Sequence, residues 1–280
     1  MYNESFGQSL KRGYKGLPIA IRTLITINFV VFLLMVIGGS GFSRILVDKL
    51  GFVPTFSTTL FQPWRLVTYI FLHAGGMHII FNMLWLWWMG RPVEETLGPK
   101  VFTVIFLGSG IGGALINLLF AGYFGVNTVI GASGAVFGVM VAFATLFPTT
   151  PIMLILLPPI EARYVVAGLI ALDVLFIGST DNVARIVHLG GAGVGYLLVK
   201  SHREGIDLTS WMYSLEKKWK SMTQQTASSN SNMTTVSEAE VIDEVDQNEL
   251  DRILEKISQK GYDGLTKDEK QKLFELSKNN

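Results

Sequence analysis

The chain has 280 residues, of which 49% are hydrophobic and 16% are charged, and its formal net charge is +1. Soluble domains carry about a quarter charged residues, so this deficit, with a mean hydropathy of +0.40, indicates a polytopic membrane protein. The balanced charge offers no basic excess for nucleic acid, and the absence of cysteine excludes disulfides and thiolate metal sites.

Six apolar stretches approach the length of about 20 residues that a helix needs to cross a bilayer. They are residues 19–39, 74–90, 101–121, 132–148, 163–179 and 186–200. The sequence therefore predicts an all-α, polytopic membrane protein with a bundle of six transmembrane helices, the first of them retained rather than cleaved as a signal peptide. Basic residues before the first span and after the sixth, against an uncharged loop at 122–131, predict that both termini are cytoplasmic.

Two connections between the spans have unusual composition. Residues 41–73 form a long, aromatic-rich connection, which we expect to lie partly in the membrane interface; among its rings are Phe52, Phe56, Phe61 and Trp64. Residues 149–163 are apolar but contain three prolines, which do not fit a helix interior. We expect this second stretch to connect two spans at the membrane edge.

The chain changes character after the sixth span. Residues 211–222 fit an amphipathic helix at the cytoplasmic surface or an ordinary soluble helix, and the pattern does not separate the two. Residues 223–240 have the composition of a linker. Thr266 and Glu269 have capping-box spacing in a predicted helical hairpin. The predicted domains are an N-terminal cytoplasmic segment (1–18), the six-span domain (19–204), a juxtamembrane segment with a disordered linker (205–246) and a small soluble cytoplasmic hairpin (247–280).

Three polar residues begin three spans that run in the same direction. His78, Ser133 and His188 lie near the outer ends of the second, fourth and sixth predicted spans, so we expect them at similar depth. Asn82 follows His78 by four residues and lies on the same helical face. Ionisable side chains within a membrane are costly, and they mark functional sites more often than chance predicts. The alternative for each histidine is a purely structural role, in which its side chain forms a hydrogen bond between two helices.

This set of residues suits acyl transfer. A serine hydroxyl needs an adjacent base to become a nucleophile, and the tetrahedral intermediate needs donors aimed at its oxyanion. Gly131 and Gly134 flank the serine and leave room for a peptide backbone. Gly191 and Gly195 in the sixth span have the spacing of a close helix contact, which would bring His188 towards Ser133.

The helical positions of the nearby aspartates do not predict an acidic residue as the third member of this site. Asp173 lies inside the fifth predicted span and Asp181 precedes the sixth. Neither is expected to orient His188, so the prediction is a Ser–His dyad. Asp173 is expected to be buried and hydrogen-bonded, or to face a polar cavity.

At these residues the chain resembles the rhomboid family of intramembrane serine proteases, over roughly residues 19–200. The matching stretches, in the family's order and spacing, are WR at 64–65, HAGGMHIIFN at 73–82, the glutamate of RPVEETLG, GASG at 131–134 and HLGGAGVG at 188–195. The terminal hairpin loosely resembles an accessory domain of some bacterial rhomboids. Phe137 departs from the pattern, because many members have a tyrosine there, stacked on the catalytic histidine.

The resemblance implies a role for each matching residue and a setting for the protein. Ser133 would be the nucleophile and His188 the general base; His78, Asn82 and the Ser133 backbone N–H would form the oxyanion hole. His73 would be a structural or gating histidine, Trp64 and Arg65 would stabilise the first loop, and Glu94 would be a buried structural acid. The substrates would be transmembrane segments of other proteins, cut near their outer ends in a lipid bilayer, with no cofactor. The expected location is the inner (plasma) membrane of a bacterium.

Two other hypotheses remain open from the sequence. His73, His78 and His188 could hold zinc in a metal-dependent membrane enzyme or transporter, although the chain has no H-E-x-x-H motif. Alternatively, the protein is an inactive rhomboid-like protein that binds transmembrane helices. Such relatives usually lack the serine or the histidine, and both are present here. No hypothesis identifies a partner for the tail.

Overall fold

The computed structural model describes residues 6–153, 158–177 and 182–212, and in the tail residues 252–253, 255–257, 264–266 and 269–270. The predicted linker at 223–240, and most of the segments predicted at 211–222 and 247–280, lie outside the described residues. The chain forms two compact units, Met1–Ser214 and Leu215–Asn280. The predicted domain boundaries stay a prediction.

Helices make up most of the first unit, and one occurs at each predicted span. In chain order they are α1 (Phe6–Lys15), α2 (Ile19–Ile37), α3 (Gly39–Leu50), α4 (Phe56–Phe61), α5 (Arg65–Thr68), a 3₁₀ turn (Tyr69–Phe71), α6 (Gly76–Phe124), α7 (Ser133–Leu146), α8 (Ala162–Leu175) and α9 (Asn182–Arg203). Two short strands, β1 (Pro151–Ile152) and β2 (Ile160–Glu161), pair antiparallel within the connection predicted at 149–163.

Among the described residues, three helices are long and apolar enough to cross a membrane: Ile19–Ile37, Gly76–Phe124 and Val183–Arg203. Helix α7 is also apolar but has 14 residues. The prediction of an all-α, polytopic membrane bundle is confirmed. The count of six crossings stays a prediction.

Helix α6 consists of two apolar arms that meet at Gly98. Gly98 has φ +80°, outside the helical region, and Pro99 begins the second arm. Glycine tolerates this left-handed conformation, and proline is well suited to a first helical position. The first arm continues beyond the predicted span end at residue 90, and Arg91 forms an ion pair with Glu95 one turn later. A sharp corner therefore replaces the loop expected between the second and third spans.

Glu94, in the first arm of α6, holds the beginning of α2. Its carboxylate is 3% exposed and accepts hydrogen bonds from the backbone N–H groups of Ala20 and Ile21, each at 2.8 Å. The first N–H groups of a helix have no partner inside that helix, and a negative charge there is also favoured by the helix dipole. Glu94 thus fixes α2 against α6.

The connection at 41–73 is a folded structure fixed by Arg65. The Arg65 guanidinium donates to the carbonyl oxygens of Gly51, at 2.6 Å, and Asp48, and the Trp64 indole N–H donates to Lys49 O at 3.2 Å. The four aromatic residues singled out from the sequence of this connection divide into two groups. Phe52 is 1% exposed in the core, whereas Phe56, Phe61 and Trp64 are exposed, as expected of rings in a membrane interface.

Helices α7 and α9 approach each other through glycine. A Cβ atom at Gly191 would lie 2.1 Å from the Gly134 carbonyl oxygen, and one at Gly195 would lie 2.5 Å from the Gly138 Cα. Any side chain at these positions would therefore push the two backbones apart. The helix contact expected from the spacing of Gly191 and Gly195 is present, and it joins the helix of Ser133 to the helix of His188.

In the tail, the predicted capping box at Thr266 is confirmed. Glu269 accepts the Thr266 backbone N–H at 2.7 Å, and its own N–H donates to Thr266 Oγ1 at 3.4 Å. Lys256 donates to the same carboxylate at 2.7 Å. The Lys256 bond and the Thr266 bonds lower the pKa of Glu269 to about 2.

We predict that Gly191→Ala destabilises the protein, because its new methyl group meets the backbone of α7. Overpacking of this kind costs about 1–3 kcal/mol. Gly193→Ala is the matched control: it adds the same methyl group to the same helix where nothing lies within 4 Å. The measurement is the melting temperature of each variant in one detergent. Equal melting temperatures would contradict the described helix contact.

Candidate active site

Ser133 is the first residue of α7, and the turn before it is shaped by Gly131. Gly131 has φ +126°, and a Cβ there would lie 2.7 Å from Cε1 of His78. Its N–H donates to the Tyr69 carbonyl at 2.9 Å. Glycine is therefore required on two grounds, a left-handed backbone and a lack of space. The result is that the His78 ring lies directly beside the turn that carries Ser133.

The structure brings Ser133 and His188 into direct contact. Ser133 Oγ lies 2.7 Å from His188 Nε2. The Phe137 ring, one turn after Ser133, stacks on the imidazole with centroids 4.5 Å apart and planes 7° from parallel. The phenyl ring thus takes the stacking place that the resemblance gives to a tyrosine. Two neighbours, one polar and one aromatic, restrict the orientation of the His188 ring.

Asp173 lies on the opposite side of the same imidazole, with its Oδ2 atom 2.9 Å from His188 Nδ1. The expectation that Asp173 is not placed to orient His188 is wrong. The predicted fifth span, 163–179, put Asp173 deep inside a helix, but α8 ends at Leu175, so Asp173 lies in its last turn. Arg185, which the sequence did not single out, lies 3.5 Å from the other carboxylate oxygen.

Hydrogen-bond donors surround the space next to Ser133. Ala132, the N-cap residue of α7, makes no side-chain cap bond, so the helix itself leaves its first N–H groups available to an external acceptor. Asn82 is 6% exposed and donates through Nδ2 to the His78 carbonyl at 2.8 Å. An amide nitrogen carries two N–H groups, and this bond uses one of them. The residues expected to form an oxyanion hole thus lie near the serine.

Two cavities meet at Ser133 and His78. One, of about 620 Å³, is also lined by His188, Asn127 and Thr128. The other, of about 310 Å³, is lined mainly by apolar side chains, with Asn82 as the polar exception: Met77, Phe81, Trp85, Val136, Phe137, Met140 and Leu169. The serine hydroxyl therefore has a space of mixed polar and apolar lining on one side and a mainly apolar space on the other.

His73 does not contact Ser133 or His188 directly; it packs behind His78. It is 1% exposed, and its ring meets the His78 ring edge-on with centroids 5.0 Å apart. Burial, and to a smaller extent the neighbouring His78, lower the pKa of His73 to about 4. His73 is therefore neutral near pH 7 and supports the position of His78.

Within the described ranges, no group of three or more His, Cys, Asp or Glu side chains is arranged to hold a metal ion. The three histidines considered for zinc have different surroundings: His188 contacts Ser133 and Asp173, whereas His73 packs against His78. Among the described residues, the three histidines therefore do not form one set of metal ligands.

Comparison with known families identifies the family to which the chain belongs. Residues 60–202, just over half of the chain, match the family model described as the Rhomboid domain. The chain belongs to the rhomboid family. Residues 244–279 match a second model, described as a family of unknown function.

Three curated relatives show how far the similarity extends. The chain is 30% identical to Rhomboid protease GluP of Bacillus subtilis over 181 residues, which is 65% of this chain and 34% of that protein. It is 35% identical to RHOMBOID-like protein 1 of Arabidopsis thaliana over 49% of this chain and 34% of that protein. It is 40% identical to Rhomboid protease GlpG of Salmonella choleraesuis over 81 residues, 29% of this chain and 28% of that protein. The chain thus spans about a third of the length of these relatives.

We predict that His73 makes this rhomboid less stable in mild acid. An unfolded histidine binds a proton below about pH 6.5, whereas folded His73 binds one only near its pKa of about 4. Stability should therefore fall as the pH falls from about 6.5 to 4, by at most about 3 kcal/mol from this residue. The measurement is the melting temperature at pH 7 and pH 4.5 for wild type and His73→Phe. A wild type no more acid-sensitive than His73→Phe would contradict this assignment.

Proposed function

We propose that this rhomboid family member is an intramembrane serine endopeptidase, which hydrolyses a peptide bond in the transmembrane segment of a membrane protein near the outer membrane face. The observation that carries the proposal is the 2.7 Å contact between Ser133 Oγ and His188 Nε2 beside a cavity. The matches to relatives named as rhomboid proteases support it.

Acylation would begin with proton transfer inside the Ser133–His188 pair. As Oγ attacks the substrate carbonyl carbon, its proton passes to Nε2, and the carbonyl π electrons move to the oxygen. A tetrahedral intermediate results, with a new Oγ–C bond and a negative oxygen. When this intermediate collapses, the C–N bond breaks and the Nε2 proton goes to the leaving amine. An ester between Ser133 and the substrate's acyl group remains.

The negative oxygen would be stabilised by donors around the turn at Gly131. The Ser133 backbone N–H belongs to the first turn of α7, where unpaired N–H groups and the helix dipole favour negative charge. The side chains of His78 and Asn82 border the apolar cavity beside Ser133. Donors fixed in advance at this position contribute more than donors that must reorient during the reaction.

The two cavities suit the two further requirements of the reaction. Deacylation needs a water molecule, which gives one proton to Nε2 while its oxygen attacks the ester carbon; the Oγ–C bond then breaks and Nε2 returns the proton to Ser133 Oγ. The cavity that contains Asn127 and Thr128 would admit this water to Ser133. A substrate helix brings apolar side chains, and the neighbouring cavity offers Met77, Phe81 and Leu169 to contact them. Water and an apolar peptide would thus approach the serine from different sides.

The membrane setting is part of the proposal. The long apolar helices support a multi-pass integral membrane protein. Lys11, Arg12 and Lys15 in α1, and Lys200 and Arg203 at the end of α9, favour cytoplasmic termini. This orientation would place Ser133 at the outer side of a bacterial inner membrane. The alternative, an inactive protein that binds transmembrane helices, is tested by the same experiment as the protease.

We predict that Ser133→Ala and His188→Ala each reduce cleavage by at least about 10³-fold, because each removes one half of the reacting pair. The measurement is cleavage of a single-span model substrate in proteoliposomes that contain EDTA. His202→Ala, at the other end of α9, is the matched control and should cleave like wild type. Turnover by Ser133→Ala near the wild-type rate would refute the nucleophile assignment. No cleavage by wild type, with no labelling of Ser133 by a fluorophosphonate, would favour the helix-binding alternative.

We predict a smaller loss for Asn82→Ala, roughly 10²-fold in kcat, because a single oxyanion donor is removed and others remain. The same proteoliposome assay measures it, with the melting temperature as the folding control. A loss as large as that of Ser133→Ala, together with a lowered melting temperature, would instead assign Asn82 a structural role through its bond to the His78 carbonyl.

A further inference from the structure

We propose that Asp173 is a positioning residue that orients His188 and stabilises its positive charge, and that Arg185 holds Asp173 in place for this purpose. The inference rests on the proposed serine protease function. It replaces the expected Ser133–His188 dyad with a chain of three side chains from three helices, α7, α9 and α8.

The two oxygens of the Asp173 carboxylate have different partners. Oδ2 lies 2.9 Å from Nδ1 of His188, and Oδ1 lies 3.5 Å from the Arg185 guanidinium. The Asp173 side chain is 12% exposed, that of His188 is 19% exposed, and that of Arg185 is 23% exposed. Little water therefore competes for these contacts, and among the described residues each carboxylate oxygen has a different partner.

A second contact joins α8 to α9, one helical turn away from the contact of Asp173 with His188. Phe176 follows Asp173 by three residues, and Arg185 precedes His188 by three, so each pair shares one helical face. The Arg185 guanidinium lies over the Phe176 ring, 5.4 Å from its centroid. Arg185 thus contacts both Asp173 and Phe176, and it ties the last turn of α8 to the first turns of α9. This arrangement restricts the Asp173 side chain to the orientation that reaches His188.

Asp173 determines which imidazole nitrogen carries the proton. An ionised carboxylate only accepts hydrogen bonds, so the proton of neutral His188 lies on Nδ1. Nε2 then has a free lone pair directed at Ser133 Oγ, 2.7 Å away. A general base needs this tautomer, since Nε2 must receive the serine proton. Without Asp173, no described residue in contact with Nδ1 would select this tautomer.

Asp173 also stabilises the charge that forms during the reaction. When Nε2 takes the serine proton, His188 becomes an imidazolium, and a carboxylate 2.9 Å from its other nitrogen attracts that charge. Arg185 acts in the opposite direction, because its positive charge repels the imidazolium while it fixes the carboxylate. Among the described residues, Ser133 of α7 and His78 of α6 line the same cavity as His188.

The alternative is that Asp173 has only a structural role, as the partner in an ion pair that joins α8 to α9; we call this role a structural clip. Removal of a structural clip would lower stability, and it would lower activity equally at every pH. Removal of an orienting carboxylate would lower kcat and move the pH dependence of activity. The two interpretations therefore differ in measurable quantities.

The test uses Asp173→Asn in the full-length protein. Arg185 only donates hydrogen bonds, so it attracts the amide oxygen and leaves the amide N–H₂ facing Nδ1, which selects the unproductive tautomer. We expect kcat to fall by about 10²- to 10⁴-fold, with KM within about twofold of wild type and a similar melting temperature. The rate at which a fluorophosphonate labels Ser133 should fall in parallel, since labelling needs the same base and no bound substrate.

Two further variants separate charge from packing. In Asp173→Asn the acidic limb of the pH–rate profile should move to lower pH, because the imidazolium loses its counter-charge. In Arg185→Gln it should move to higher pH, because a repelling charge is removed. Asp173→Glu keeps the charge, so its limb should stay near that of wild type even if the longer side chain lowers kcat.

The outcomes are distinct from those of the proposed function. If wild type neither cleaves nor is labelled at Ser133, the protease proposal itself fails. If wild type cleaves and Asp173→Asn retains kcat within about threefold, Asp173 has no part in orienting His188. A large loss in Asp173→Asn with an unmoved acidic limb, matched by an equal loss in Asp173→Glu, would reduce Asp173 to a structural clip.

Discussion

The contact of backbone against backbone between α7 and α9 is the constraint on which the site depends. Gly191 meets Gly134 and Gly195 meets Gly138, so the two helices lie closer than any pair of side chains would permit. In lipid, the hydrophobic effect does not drive helices together, and close packing of small residues supplies the attraction instead. Because His188 lies one turn before Gly191, this approach helps to bring its imidazole within hydrogen-bond reach of Ser133.

The remaining elements place the expected hydrogen-bond donors beside this pair of helices. The corner at Gly98 allows both arms of α6 to pack in the bundle, and Glu94 in the first arm also caps α2. The start of the same arm carries His78 to the turn at Gly131, where the absence of a side chain makes room for its ring. A rigid framework thus fixes Ser133, His188 and the expected oxyanion donors in advance, as the electrostatic stabilisation of a transition state in the proposed reaction requires.

Sequence patterns could predict the parts that depend on composition and spacing. The apolar stretches predicted the helices, the glycine spacing predicted the contact of α9 with α7, and Thr266–Glu269 predicted a capping box. The patterns failed where a helix end decides the geometry. Hydropathy extended the fifth span to residue 179, whereas α8 ends at Leu175, and this difference moves Asp173 from mid-helix to the last turn. Hydropathy also could not foresee that the helix continues through 91–97, because a charged but helix-compatible stretch resembles a loop.

Asp173 illustrates why the polar residues of the site lie near the ends of helices in this fold. An ionised carboxylate deep in the bilayer is costly unless it is paired, and mid-span Asp is correspondingly rare. In the last turn of α8, Asp173 has two partners within reach, His188 and Arg185, and both come from the first two turns of α9. Ser133 also lies at a helix end, where the first N–H groups have no partner inside the helix, and it borders a cavity with polar residues. The proposed chemistry is thus built from residues at helix ends, where charged groups find partners, and the glycine contacts of α7 with α9 hold the serine and the histidine in register.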